Sequence, residues 1–190
     1  MPSEEPDLLF NRAEIQEITN REMRDEQADA LAVLATSAVR DYCGWRIAKR
    51  KVEVLHLTPR RGSRLLFLPT LKLHDITAVT VGGVNVDPDD IDWDHTGVLE
   101  VRGRYAWPTR RRSIAVTIDH GHPATPGGIA QAIAASVARG ALVPAGGIAA
   151  ESAVGQSYTY SRTSSGLAAG AMFVRDELER LDPHRLPVSR

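Results

Sequence analysis

Between Tyr42 and Lys51 the hydrophobic rhythm of the chain changes, and that change limits the fold more than any other feature. Upstream, from about Glu22 to Tyr42, the residues Met23, Gln27, Leu31, Leu34, Ala38 and Tyr42 step by three or four, the spacing of one stripe on an α-helix. Glu22, Asp25, Glu26 and Asp29 crowd its first two turns, where the helix dipole favours negative charge. Downstream, "KVEVLHL" alternates as a strand does, with Val52 and Val54 apolar and Leu55 and Leu57 less regularly so. The break falls on Tyr42, Cys43, Gly44 and Trp45, where Gly44 suits a left-handed helix cap and the indole can cover a corner.

The two-residue rhythm persists from 46 to 121, as short apolar runs separated by turn residues. "LLFLP", "DITAVTVGGVNV", "GVLEV" and "SIAVTIDHG" follow one another, and Gly82-Gly83 predicts a hairpin turn. Helical spacing returns over 126–141, where Ile129, Ile133 and Val137 line one stripe behind Thr125 and Pro126. A short helix is expected over 12–19, with Asn11 as its cap and Glu14 completing a capping box. Residues 1–10 read as a flexible arm, 11–145 as the folded domain, and 146–190 as an extended arm, a short helix and a tail. The fold class is α+β: a small helical bundle of two long and two short helices, with an inserted antiparallel β unit.

Composition narrows the function. The 190 residues carry 23 basic and 24 acidic side chains, so the whole chain has no polyanion-binding charge. One cysteine allows no internal disulfide and fits a reducing compartment. No apolar run approaches the ~18 residues of a membrane span. The acidic start "MPSEEPDLLF" lacks the form of a signal peptide, so a chain made in the cytoplasm or carried inside a particle is expected, with no membrane partner.

No constellation points to catalysis, and no metal or other cofactor is expected. "DHGH" places His120 and His122 two apart, but a zinc site needs further ligands, and the other histidines lack ligand spacing. Cys43 has no identifiable base beside it and reads as a buried thiol. The acids of "DPDDIDWD" lack the glycine and glutamate of a calcium loop and read as a solvated loop. The basic runs "AKRK", "PRRGSR" and "TRRRS" fall on turns of the β unit. Arg110, Arg111 and Arg112 are the candidate phosphate contacts among them, against a plain soluble face.

Four stretches, in order, carry a resemblance: "ADALAVLATSAVRDYCGWRI", "LFLPTLKLHDITAVTVGGV", "IAVTIDHGHPATPGGIAQAIAASVAR" and "ESAVGQSYTYSRT". Together they span most of the chain from Ala28 to Thr163, and they resemble the head–tail connector, or head-to-tail adaptor, proteins of long-tailed bacteriophages, particularly those infecting actinobacteria. The resemblance implies a non-enzymatic virion protein that forms a dodecameric ring under the portal. Such a ring extends the DNA channel and offers a platform to stopper and tail proteins. It implies as partners further copies of the chain, the portal, a tail-side protein and genomic DNA passing without sequence recognition. It also implies docking on the portal or on neighbours through Glu151, Val154, Gly155, Ser157, Tyr158, Tyr160, Phe173, Leu178 and Leu181. Two readings compete with it: a small DNA-binding module using Arg110 to Arg112 and the helix after Pro126, and a small metal-dependent hydrolase using His120 and His122.

Overall fold

The computed structural model describes residues 7–20, 23–60, 62–103, 106–108, 110–140, 150–153, 156–159 and 173–187. In chain order its elements are α1 (Arg12–Thr19), α2 (Asp25–Cys43), β1 (Lys51–Leu57), β2 (Leu65–Phe67), β3 (Leu73–Val81), β4 (Val84–Val86), β5 (Ile91–Trp93), β6 (Val98–Val101) and β7 (Ile114–His120). They are followed by α3 (Gly127–Gly140), β8 (Ala150–Ala153), β9 (Gln156–Thr159) and α4 (Arg175–Leu181). The class is α+β. The chain divides into two units, Met1–Tyr42 with Pro126–Pro183, and Cys43–Thr125 with His184–Arg190.

The helical unit begins with a local signal. Asn11 Oδ1 accepts from the Glu14 amide at 2.9 Å, Glu14 accepts from the Asn11 amide at 2.6 Å, and Asn20 closes the helix in a left-handed conformation. These are the reciprocal bonds of a capping box. Arg12 then bridges to α2, pairing with Asp25 at 2.6 Å and with Asp29. The Leu9 amide reaches Thr36 Oγ1 at 3.1 Å.

Helix α2 corrects the expected stripe. Its buried seam is Ala28, Ala32, Thr36, Val39 and Cys43, whereas Leu34 is 62% exposed and Val33 47%. Both sets have helical spacing. Small side chains predominate on the inward face, and Val33 and Leu34 are left outside. The helix starts at Asp25 rather than Glu22, which lies outside the described residues. On α3 the expected stripe of Ile129, Ile133 and Val137 is buried, joined by Ala132. The Pro126 carbonyl accepts the first helical bond, from Ala130, at 2.9 Å.

The β unit holds a four-stranded antiparallel sheet in the order β1-β7-β3-β4 and a three-stranded sheet in the order β2-β6-β5. Strand β7 alternates strictly, turning Ile114, Val116, Ile118 and His120 inward. Leu66, Leu68, Leu99 and Trp107 join Ile114, Val116 and Ile118 in one core. Gly82 and Gly83, at φ 59° and 87°, make the tight turn between β3 and β4 that the glycine pair predicts. The strand β1 has the opposite face inward from the one its valines suggest. Glu53, Leu55 and Leu57 stand opposite Ile118, Val116 and Ile114 and share their side of the sheet, leaving Val52 and Val54 56% and 54% exposed. Nor is "DPDDIDWD" only a solvated loop: Pro88–Asp90 forms a 3-10 turn, and β5 follows with Ile91 buried.

Candidate functional site

The corner at Tyr42 to Trp45 is where the chain passes from the helical unit to the β unit. Tyr42 Oη donates to Asp182 at 2.5 Å within the first unit. In the second unit Cys43 is buried and Gly44 takes φ 78°, which turns the chain off the helix axis. Trp45 is 5% exposed, and its Nε1–H donates to the His184 carbonyl at 2.6 Å. The Leu186 amide donates to the Cys43 carbonyl at 2.9 Å. Residues His184–Leu186 therefore strap the corner, although the proline-punctuated end of the chain reads as a loose tail. No local pattern announces this contact, because its partners lie about 140 residues apart.

The histidines of "DHGH" are separated rather than gathered. His120 is buried, with Nε2 2.7 Å from Glu53, while its Nδ1 has no hydrogen-bond partner. Burial lowers its pKa against the opposing pull of Glu53, so the ring is neutral at pH 7 and donates Nε2–H to the carboxylate. Asp119, on the other face, is held low by three hydrogen bonds from Arg50. His122 lies past Gly121 with its ring between those of Trp45 and His184, at centroid distances of 6.2 and 6.0 Å. Burial lowers the pKa of His122, helped by His184, and that of His184 itself. Among the described residues no three His, Cys, Asp or Glu side chains are grouped to hold a metal ion.

One apolar depression in the β unit, about 310 Å³, is lined by Val81, Val86, Val101 and Trp107. The Trp107 Nε1–H has no partner but is itself enclosed, so the depression does not present it to a ligand.

The expected docking residues fall into three groups. Glu151 stands opposite Tyr158, and Ser152 opposite Ser157, in the β8–β9 hairpin. Val154, Gly155 and Tyr160 lie outside the described residues. In the last group Phe173 and Leu178 are half-buried, and Leu181 is fully buried. Leu181 is therefore corrected: it is packed inside its own unit and offers nothing to a partner in this conformation.

Helix α4 sits on α3, which the sequence reading did not anticipate. The buried Glu177 carboxylate accepts from both Arg139 terminal nitrogens, at 2.6 and 2.8 Å, and from the Val174 amide at 2.9 Å. Burial would push this carboxyl up, but these donors outweigh it and hold the pKa below the ordinary glutamate value.

The surfaces left open are apolar and unlike one another. The helical unit exposes Val33 and Leu34; the β unit exposes Val52 and Val54 on edge strand β1 and Val84 at a hairpin tip. At one end of the β unit the loops carrying Arg60, Arg64 and Arg110 to Arg112 lie side by side, joined by a bond from the Arg112 amide to Thr58 Oγ1 at 2.9 Å.

Comparison with solved structures gives this architecture a relative. The fold is shared with chains of a gene transfer agent particle. A chain in the neck of the native particle, computed with C12 symmetry, matches with a TM-score of 0.56 at 14% identity, covering 93% of this chain and 91% of that one. A chain of the native virion gives 0.57 at 17%, covering 79% and 87%. A chain in the neck of the empty particle, computed with C6 symmetry, gives 0.53 at 16%, covering 69% and 77%. No protein-family model and no curated protein matches the sequence. No helix among the described residues is long and apolar enough to cross a membrane.

Proposed function

We propose that this chain is a non-enzymatic structural protein of a phage-like particle, a head-to-tail adaptor whose copies form a dodecameric ring in the neck. The observation that carries the reading is the fold shared, over nine-tenths of both chains, with a neck protein computed with C12 symmetry. The surface supports it. A closed ring needs two different patches that meet head to tail, and the chain exposes one apolar patch on α2 and another on β1.

In this reading the ring lies beneath the portal, extends the DNA channel and carries the stopper or tail protein below. The β8–β9 hairpin, with Glu151, Ser157 and Tyr158, and the neighbouring Val154, Gly155 and Tyr160 are the portal-docking segment. Phe173 and Leu178 are further docking candidates; Leu181, fully buried in its own unit, is not. The chain acts in the virion after assembly in the host cytoplasm.

Mass measurement of the purified chain, alone and mixed with the portal protein of the same particle, tests the proposal. A twelve-subunit species is expected, matching the C12 symmetry of the related neck. A monomer indifferent to the portal would remove the reading.

A further inference from the structure

The three basic runs are scattered in sequence, but the fold brings two of them to one place. Residues Thr58–Arg60 and Gly62–Arg64, between β1 and β2, lie against Trp107, Pro108 and Arg110–Ser113, which lead into β7. The Arg112 amide donates to Thr58 Oγ1 at 2.9 Å, and the Trp107 amide to the Ser63 carbonyl at 3.1 Å. The Arg64 carbonyl and side chain are tied to Val101 at 3.4 and 3.2 Å. Five guanidinium groups, Arg60, Arg64, Arg110, Arg111 and Arg112, therefore share one exposed end of the β unit.

This end is not a neutralised surface. Arg64 has Glu100 at 3.4 Å, both half exposed. Arg110, Arg111 and Arg112 have no ion pair among the described residues. Of the acids at 87–94, Asp92 is bonded to Arg102, and Asp94 accepts from Thr96 and Val98. A chain of net charge -1 thus places three guanidinium groups without ion pairs, Arg110 to Arg112, at one end of the β unit. Every cation there is arginine, whose planar fork of donors matches a phosphate in two-point contact.

We infer that this arginine end contacts the phosphate backbone of duplex DNA without reading its sequence. It deepens the adaptor reading, which makes DNA the neighbouring polyanion; the measurement below needs neither ring nor portal, so the two can fail separately. Among the described residues the loops carry no helix to enter a groove, so the contact is electrostatic and weak for one subunit. That suits a conduit which guides DNA without gripping it.

The test is binding of a fluorescent duplex of random sequence to the purified full-length chain, measured over a range of salt. With about three phosphates neutralised, affinity should fall roughly 40-fold between 50 and 200 mM salt. The triple variant Arg110→Gln, Arg111→Gln, Arg112→Gln should lose most of this binding and its salt dependence. A charge-matched control in the helical unit, Arg24→Gln, Arg175→Gln, Arg180→Gln, should keep both. Near-equal far-ultraviolet dichroism spectra establish that each variant is folded. Absence of binding at low salt, or binding undiminished in the first triple variant, overturns the inference. Tighter capture of polyglutamate than of DNA at equal charge also overturns it, in favour of an acidic protein partner.

Discussion

Replacing Glu177 by alanine should release α4 from α3 while leaving the rest of the helical unit folded. The carboxylate receives two bonds from Arg139 and one from the Val174 amide. Hydrogen bonds to charged groups are worth about 1.5–3 kcal/mol each. Arg139 retains 31% side-chain exposure, so water replaces part of what is lost, and a net cost of about 2–3 kcal/mol is expected. Little opposes release. Burial of Leu181 contributes about 1.5–3 kcal/mol, while bringing together elements about 35 residues apart costs about 3 kcal/mol of chain entropy. The helix is therefore marginal, and the variant should speed hydrogen exchange at Leu178 to Leu181 by about 30- to 150-fold, since about 1.4 kcal/mol is a factor of ten. Amides of α3 from Ile129 to Val137 should change far less. The double variant Arg139→Leu, Glu177→Leu should recover protection, because an apolar pair of similar volume leaves no unpaired charge. Acid should mimic the single variant. The folded-state pKa of Glu177 is depressed, so its contribution is complete above the ordinary glutamate value and is lost as pH falls through the folded one. Unchanged exchange in α4, or equal acceleration throughout α3, would refute the reasoning.

Trp45→Ala should destabilise the β unit by about 3–5 kcal/mol in urea unfolding, because a nearly buried indole leaves a cavity. Trp45→Phe should cost about 1 kcal/mol from the lost bond to His184, beyond any repacking; a loss below about 1 kcal/mol for the alanine variant would mean that the ring contributes little packing. The β unit should also lose stability as pH falls from about 7 through 6.5 and below. His120, His122 and His184 all have depressed folded-state pKa values, so the unfolded chain binds protons first as pH falls through the ordinary histidine value of 6.5. Urea midpoints should fall across that window and fall less in His184→Gln; midpoints that rise on acidification contradict the burial argument.

Features that depend on a few neighbouring residues were legible from the residues alone. The Asn11–Glu14 cap, the Gly82-Gly83 turn, the left-handed Gly44 and the change of rhythm at the corner each rest on hydrogen bonds or backbone sterics local to the chain. The stripe on α3 was legible too, because its large aliphatic residues occupy only one face. On α2 and β1 two apolar faces competed, and tertiary packing chose the one with the better neighbour: small residues Ala28 and Ala32 over Leu31 and Leu34, and Leu55 and Leu57 over Val52 and Val54.

Of the candidate site, sequence could name the arginines, the corner and the arm proposed for docking, but not which distant residues meet there. The strap on Trp45, the seat of α4 on Glu177 and Arg139, and the meeting of the Arg60 and Arg110 loops join residues about 40 to 140 apart. Spacing along a chain encodes which residues share a helix face or a strand face, because those periods come from backbone geometry. It carries no record of which distant faces meet. That is decided when apolar surface is buried and buried charges must find partners, and so only the folded molecule revealed a neutral chain with one basic end and a last helix bound to its own body.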